Sequence, residues 1–193
     1  MPLTAAYLTD RIGSRLTNSP QMREAERWTQ QQFRDWGLKN VRTEGFEFGR
    51  GWSIEKSSVR LLQPRIAEYR AIPVAWTPPT NGAINATIVV APMSKERDFE
   101  RWKGKLRGQI VLVTQPDSGS EPAVAPFERL TKEDIGKLDA YRQPVVSMDE
   151  EVEKRLQRNR FEAKRDEFLA AEGALAWVSK SYRDGGLLHG DRF

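Results

Sequence analysis

Apolar residues recur along this chain first at helical spacing and then in short β-branched runs. Leu8, Ile12 and Leu16 share one face of a helix predicted over residues 4–16. Thr17-Asn18-Ser19-Pro20 interrupts it. Ser19 as N-cap and Pro20 at the first helical position begin a second helix. Met22, Ala25, Trp28, Gln32 or Phe33, and Trp36 mark its apolar stripe, and Gly37 stops it as a C′ glycine. Val41, Thr43, Phe46 and Phe48 predict a strand over 41–48, with a bulge at Gly45. Gly49-Arg50-Gly51-Trp52 reads as a turn and 58–62 as another strand. Beyond Pro64, the prolines at 73, 78 and 79 exclude a helix and leave an edge strand or an ordered loop.

The second half carries the more distinctive pattern. Residues 84–91, centred on Ile88-Val89-Val90, predict a strand, and 95–102 a short helix. Leu106-Arg107-Gly108-Gln109-Ile110-Val111-Leu112-Val113 then leads into a central strand. Residues 115–126 are rich in Ser, Gly and Pro and predict an exposed loop. A short helix over 131–141 and a brief strand at 144–146 follow. Ser147-Met148-Asp149-Glu150 forms a capping box for a long charged helix that ends at Gly173. Ala174-Leu175-Ala176-Trp177-Val178 is the next strand. The fold class is therefore α/β in the mixed α+β sense. Residues 1–56 form helices and a first strand, 57–184 a small sheet domain with flanking helices, and 185–193 a tail.

Composition narrows the function. The chain has 193 residues, 30% of them charged, and a formal charge of +4. Its cations are interleaved with acids rather than concentrated, which argues against a nucleic-acid surface. The absence of cysteine removes disulfides and thiol chemistry. The first ten residues carry no basic, then apolar, leader pattern, so the chain is expected to be cytosolic, already mature, or cut short, and its compartment stays open. No apolar run approaches the roughly 20 residues of a membrane-spanning helix.

Candidate chemistry is sparse. His189-Gly190-Asp191 has the His-x-Asp form of some zinc ligands, but His189 is the one histidine of the chain. A zinc site needs at least about three protein ligands, so no metal ligand and no catalytic residue is assigned. The acids at 149–151 and 153 complement the positive end of a helix dipole. Glu44 and Glu47 would lie on opposite faces of a strand and cannot act as a pair there. The glycines match no phosphate-binding loop, and Ser118, Ser120 and Ser179 sit in no nucleophile elbow. Asn85-Ala86-Thr87 is a formal glycosylation sequon inside a predicted strand. Trp76-Thr77-Pro78-Pro79-Thr80-Asn81-Gly82 is the best candidate contact surface, with Trp76 and Asn81 as its substrate- or partner-binding residues. The competing reading is a packed edge crossing between layers.

The segment Leu8-Thr9-Asp10-Arg11-Ile12-Gly13-Ser14-Arg15-Leu16-Thr17-Asn18-Ser19 resembles the opening of bacterial zinc exopeptidases of the aminopeptidase and glutamate-carboxypeptidase-like type, where an IGxRLTxS sequence precedes a helix. The helix at 25–36, Gly37-Leu38-Lys39-Asn40-Val41 and Glu47-Phe48-Gly49-Arg50-Gly51-Trp52 continue the likeness. Residues 106–113 and 171–178 are similar to the protease-associated domain inserted in many of these enzymes. The resemblance implies that two zinc ions, bound by histidines and carboxylates beyond the inserted domain, activate water with a Glu as general base. His189-Gly190-Asp191 lacks the apolar strand before it and the serine after it that mark the family's His-x-Asp, so no family ligand is carried over to it.

The resulting expectation is a non-catalytic N-terminal and protease-associated portion of a zinc exopeptidase, shaping the substrate cleft. It would hold no cofactor itself, with zinc in the complete enzyme. Its partners would be a peptide substrate or partner protein and a catalytic domain outside the chain, with neither nucleic acid nor membrane. Unpaired helices would expose apolar surface near Trp28 and Trp36 and favour self-association. The alternative is a stand-alone peptide or protein interaction module without enzymatic activity.

Overall fold

The computed structural model describes residues 2–116, 129–138 and 148–181. It is a mixed α+β protein whose described residues divide into two compact units between Pro79 and Thr80. The Ser-Gly-Pro loop from residue 117 onward, the strand expected at 144–146, the cap at Ser147 and the tail from 183 lie outside the described residues.

In the first unit, α1 (Pro2–Ala6) continues into a π-helical turn over Tyr7–Ile12. The helix expected to reach Leu16 thus ends at Ile12. Gly13 adopts φ 81°, and its N–H reaches back to the Leu8 carbonyl at 3.2 Å, closing the last turn. Helix α2 (Pro20–Asp35) follows the sequence pattern closely. The Ser19 hydroxyl accepts from the Met22 N–H at 3.1 Å, and Pro20 occupies the first turn. At the other end Gly37, with φ 84°, donates to the Arg34 carbonyl and Leu38 to the Phe33 carbonyl, both at 2.9 Å. That pair of bonds is a Schellman motif. Ala25 of α2 and Ile12 are buried, and Tyr7 stacks on Trp28 with ring centroids 4.6 Å apart. Trp28 is thereby half-buried, whereas Phe33, Trp36 and Leu38 at the far end of the helix are exposed.

The strand expected over 41–48 does not form. These residues have no ladder partner, and Phe46 is 76% exposed. Imperfect alternation gave no single face to bury, so nothing repaid the pairing. The strands of this unit come later. β1 (Val59–Leu61) pairs antiparallel with β2 (Ala67–Tyr69), with Arg60 opposite Glu68 and the two side chains in an ion pair. The sequence pattern pointed to β1 and left the stretch beyond Pro64 as edge strand or ordered loop; β2 realises the first of these, although its Ala-Glu-Tyr carries no β-branched residue to mark it.

The second unit is built on a three-stranded parallel sheet, β3 (Ile88–Val90), β4 (Ile110–Leu112) and β5 (Ala176–Val178), in that order. A 3-10 turn (Glu96–Asp98) and α3 (Phe99–Trp102) connect β3 to β4. Helices α4 (Lys132–Leu138) and α5 (Met148–Glu172) lie between β4 and β5. Parallel strands need such crossovers, and the crossovers cover a sheet face. Val89, Val111 and Trp177 stand in one cross-strand row toward the core. Leu106, Val111 and Leu169 are fully buried there with Ala91, Met93 and Val113. Phe99 stacks on Phe168 with centroids 4.8 Å apart. On the opposite sheet face, Ile88 and Val90 remain about half exposed.

A second Schellman motif ends α5, since Gly173 donates to Ala170 at 3.0 Å and Ala174 to Leu169 at 3.1 Å. This turn is tied to the approach to β4. Gly108 donates to the Gly173 carbonyl at 2.9 Å, and the Gly104 N–H to a Glu172 carboxylate oxygen at 2.5 Å. The close of α5 and the start of β4 are therefore one structure, and it sets the register of β5 on β4.

Two stability predictions follow from these contacts. Leu169→Ala should cost about 2–5 kcal/mol in a urea or thermal unfolding measurement, because the fully buried site cannot collapse around the loss. A Cβ on Gly51 would lie 2.2 Å from the Asn18 carbonyl oxygen, a backbone atom. Gly51→Ala should therefore cost about 1–3 kcal/mol. Gly45→Ala, with nothing within 4 Å, is the control expected to leave the melting temperature unchanged.

Candidate functional site

Trp76 belongs to the first unit and Asn81 to the second. Trp76 is half-buried and has φ 58°, an unfavourable backbone region for a bulky residue. Its ring meets Phe48 edge-on at 5.5 Å, and Phe48 meets Phe46 edge-on at 6.4 Å. The Trp52 indole N–H donates to the Thr77 carbonyl at 3.2 Å, and the Thr77 hydroxyl to the Val74 carbonyl at 2.7 Å. The Pro-rich loop is thus held in shape by neighbours of the Gly49-Arg50-Gly51-Trp52 turn. That turn in turn is anchored by the Asn18 amide, which donates to the Gly49 carbonyl at 2.9 Å, while Arg23 donates to the same amide's oxygen at 2.7 Å.

The result is a small aromatic platform of Phe46, Phe48 and Trp76, with Phe46 and Phe48 exposed. Such a platform can pack against an apolar side chain or a peptide segment. It brings no acid, base or nucleophile within reach among these contacts. Asn81, with φ 53°, is exposed in a turn where the Thr80 hydroxyl donates to the Gly82 carbonyl at 2.7 Å. The sequence pattern singled out Trp76 but missed Phe46 and Phe48, which it assigned to a strand.

The carboxyl ends of the parallel strands, where open α/β sheets place ligands, carry Ser94, Thr114 and Lys180. The Lys180 backbone N–H donates to the Thr114 hydroxyl at 2.8 Å. Asp98 accepts from the backbone N–H groups of Ser94 and Lys95, at 2.8 and 3.0 Å, and from the Ser94 hydroxyl at 3.2 Å. The Ser94 N–H above all, with Lys95, holds this carboxyl below the usual carboxylate range. A carboxylate engaged in this way shapes the β3–α3 turn and is a poor proton donor at neutral pH. Among the described residues no group of three or more His, Cys, Asp or Glu side chains is arranged to hold a metal ion. His189 and Asp191 lie outside the described residues. Among the described residues no helix is long and apolar enough to cross a membrane.

No family model and no solved structure matches the chain. Over 120 residues, 61% of its length, it is 30% identical to carboxypeptidase Q of Mus musculus. The chain spans about a quarter of that relative, 24% of its length. The likeness supports a peptidase-related origin for the matched part.

Because the folded-state pKa of Asp98 is depressed, its contribution to stability is complete above the ordinary carboxylate value, about 3.9. That contribution is lost as pH falls through the lower folded value. A carbon-detected carboxyl titration should place the Asp98 midpoint below the ordinary aspartate value of about 3.9. Hydrogen exchange at the Ser94 and Lys95 amides should quicken as the group protonates.

Proposed function

We propose that this chain is the non-catalytic N-terminal portion of a zinc-dependent exopeptidase, with its second unit serving as a protease-associated module that shapes a substrate cleft. The single observation that carries this reading is the 30% identity to a carboxypeptidase across 61% of the chain, at only 24% of the relative's length. The run of motifs from Leu8 to Ser19 and the strand–helix–strand order around Val111 and Trp177 agree with it.

On this reading peptide-bond hydrolysis belongs to polypeptide outside these residues. The described side chains do not fit a zinc pair, because no three potential ligands converge. No hydrolytic step is accordingly assigned to a residue of this chain. Its own part is to bind and position. Trp76 with Phe48, and Asn81 in its turn, are the proposed contacts for a peptide substrate or partner protein. The exposed Phe33, Trp36 and Leu38 at the end of α2 are the proposed contact with the catalytic domain, and a source of self-association when that domain is missing.

The test is a peptide-hydrolysis assay on the purified 193-residue chain with added zinc, alongside measurement of bound metal. The expected result is no turnover and no stoichiometric zinc. Substantial turnover would refute the non-catalytic assignment. Saturable peptide binding without any requirement for a catalytic domain, abolished by Trp76→Ala in a normally folded protein, would favour a stand-alone interaction module instead.

A further inference from the structure

Helix α5 is two different helices in sequence. From Phe161 onward it packs, with Phe161, Phe168 and Leu169 in or against the core and Arg165 buried over the Phe161 ring. Before that, residues 149–160 are all exposed, over about 18 Å of helix. Val152 and Leu156, one turn apart, are 50% and 43% exposed. At 3.6 residues per turn they lie on the side of the helix opposite the Phe161, Arg165 and Phe168 stripe. They are therefore no continuation of the core face.

The charges around this apolar pair are sorted along the axis. Asp149, Glu150, Glu151 and Glu153 come first, and Lys154, Arg155, Arg158 and Arg160 follow. The helix dipole accounts for acids in the first turn. It does not account for the basic block in the middle of the helix, where Lys154 pairs with Glu151 at 3.8 Å, nor for the apolar pair, which has one member in each block. Seen down the axis, Asp149 and Arg160 flank the apolar pair on one side, and Glu151 and Arg155 on the other. A parallel copy would set acid against acid. An antiparallel copy, crossing midway between Val152 and Leu156, sets Val152 against Leu156, Asp149 against Arg160, and Glu151 against Arg155. This is the self-complementarity of a two-fold interface. The two packed halves of α5 would then leave the crossing in opposite directions.

We propose that the exposed first half of α5 is a homodimerisation segment that pairs antiparallel with the same segment of a second copy of this chain. The paired segments are short, and their interface falls below the roughly 1,200–2,000 Å² of standard complexes. The dimer is therefore weak and concentration-dependent, with strong sensitivity to salt. The proposal does not depend on the peptidase reading.

Sedimentation velocity of the full 193-residue chain over a hundredfold concentration range tests it. The expected result is a reversible monomer–dimer equilibrium that shifts to monomer at high salt. Leu156→Glu, which keeps helix propensity, should weaken self-association at least about tenfold with far-UV circular dichroism unchanged. The decisive pair of variants reverses the charges. One carries D149K, E151K and E153K, and the other R155E, R158E and R160E. Each alone should be monomeric, and their mixture should restore a heterodimer. A chain that stays monomeric throughout would overturn the proposal. So would a dimer that survives Leu156→Glu but disappears on Trp36→Ala, or charge-reversed variants that fail to combine. A monomer whose residues 149–160 are protected from hydrogen exchange would also overturn it.

Discussion

The second unit rests on the buried cluster that gathers Leu169 of α5 with Val111 of the central strand. Three parallel strands of three residues each bury little by themselves, and their ladder bonds only replace bonds to water. What makes the sheet stable is the crossover that returns the chain from β4 to β5 and covers one face. The packed half of α5 supplies Phe168 and Leu169 to that face, and its terminal turn is bonded directly to Gly104 and Gly108 ahead of β4. The helix thus fixes the face, the register and the direction of β5 together. The positive φ of Gly173 is part of this device. A Cβ there would meet the Arg107 side chain at 3.4 Å, and any L side chain would be strained at φ 78°.

The first unit lacks an equivalent. Ile12 and Ala25 are its buried apolar residues among those described, while Phe46, Ile54, Leu62 and Ile66 are each at least half exposed. Its order comes from local devices: the Ser19 cap, the Gly37 Schellman turn, the Asn18–Gly49 bond and the close approach of Gly51 to the Asn18 carbonyl. These fix backbone geometry but bury little. A unit that buries this little would gain stability from a partner surface, as the proposed function requires.

The same contrast explains what could be read from residues alone. Caps and turns are local, so Ser19-Pro20, Gly37 and Gly173 announced the ends of α2 and α5 correctly. The β-branched runs at Ile88-Val89-Val90 and Ile110-Val111-Leu112 announced strands, of which Val111 is fully buried while Ile88 and Val90 stay about half exposed. Strands that depend on a distant partner were not legible. Residues 41–48 looked extended and found no ladder, whereas Ala67-Glu68-Tyr69, open between edge strand and loop, pairs with β1 because a turn brings it back. The end of the first helix was misjudged by four residues, since the apolar spacing to Leu16 outweighed the Gly13 signal. At the candidate site, Trp76 stood out by its Pro-rich setting. Phe46 and Phe48 join it only through a loop whose path depends on Asn18, thirty-one residues from Gly49.

Catalysis by a metal pair asks for several ligands held in one geometry, and recognition asks for less. A Pro-stiffened loop with an aromatic edge can hold an extended segment through area and shape, with little ordering left to pay for on binding. The second unit adds a rigid parallel sheet and a helix longer than its packing needs. About half of α5 makes the core, and the other half carries its own apolar pair and ordered charges away from it. A helix kept that long in water gains nothing from propensity alone, since exposed turns contribute marginally and fray readily. Its exposed turns hold in-helix pairs, Lys154 with Glu151 and Gln157 with Glu153, and their acid-then-base order is the feature on which the proposed antiparallel pairing rests.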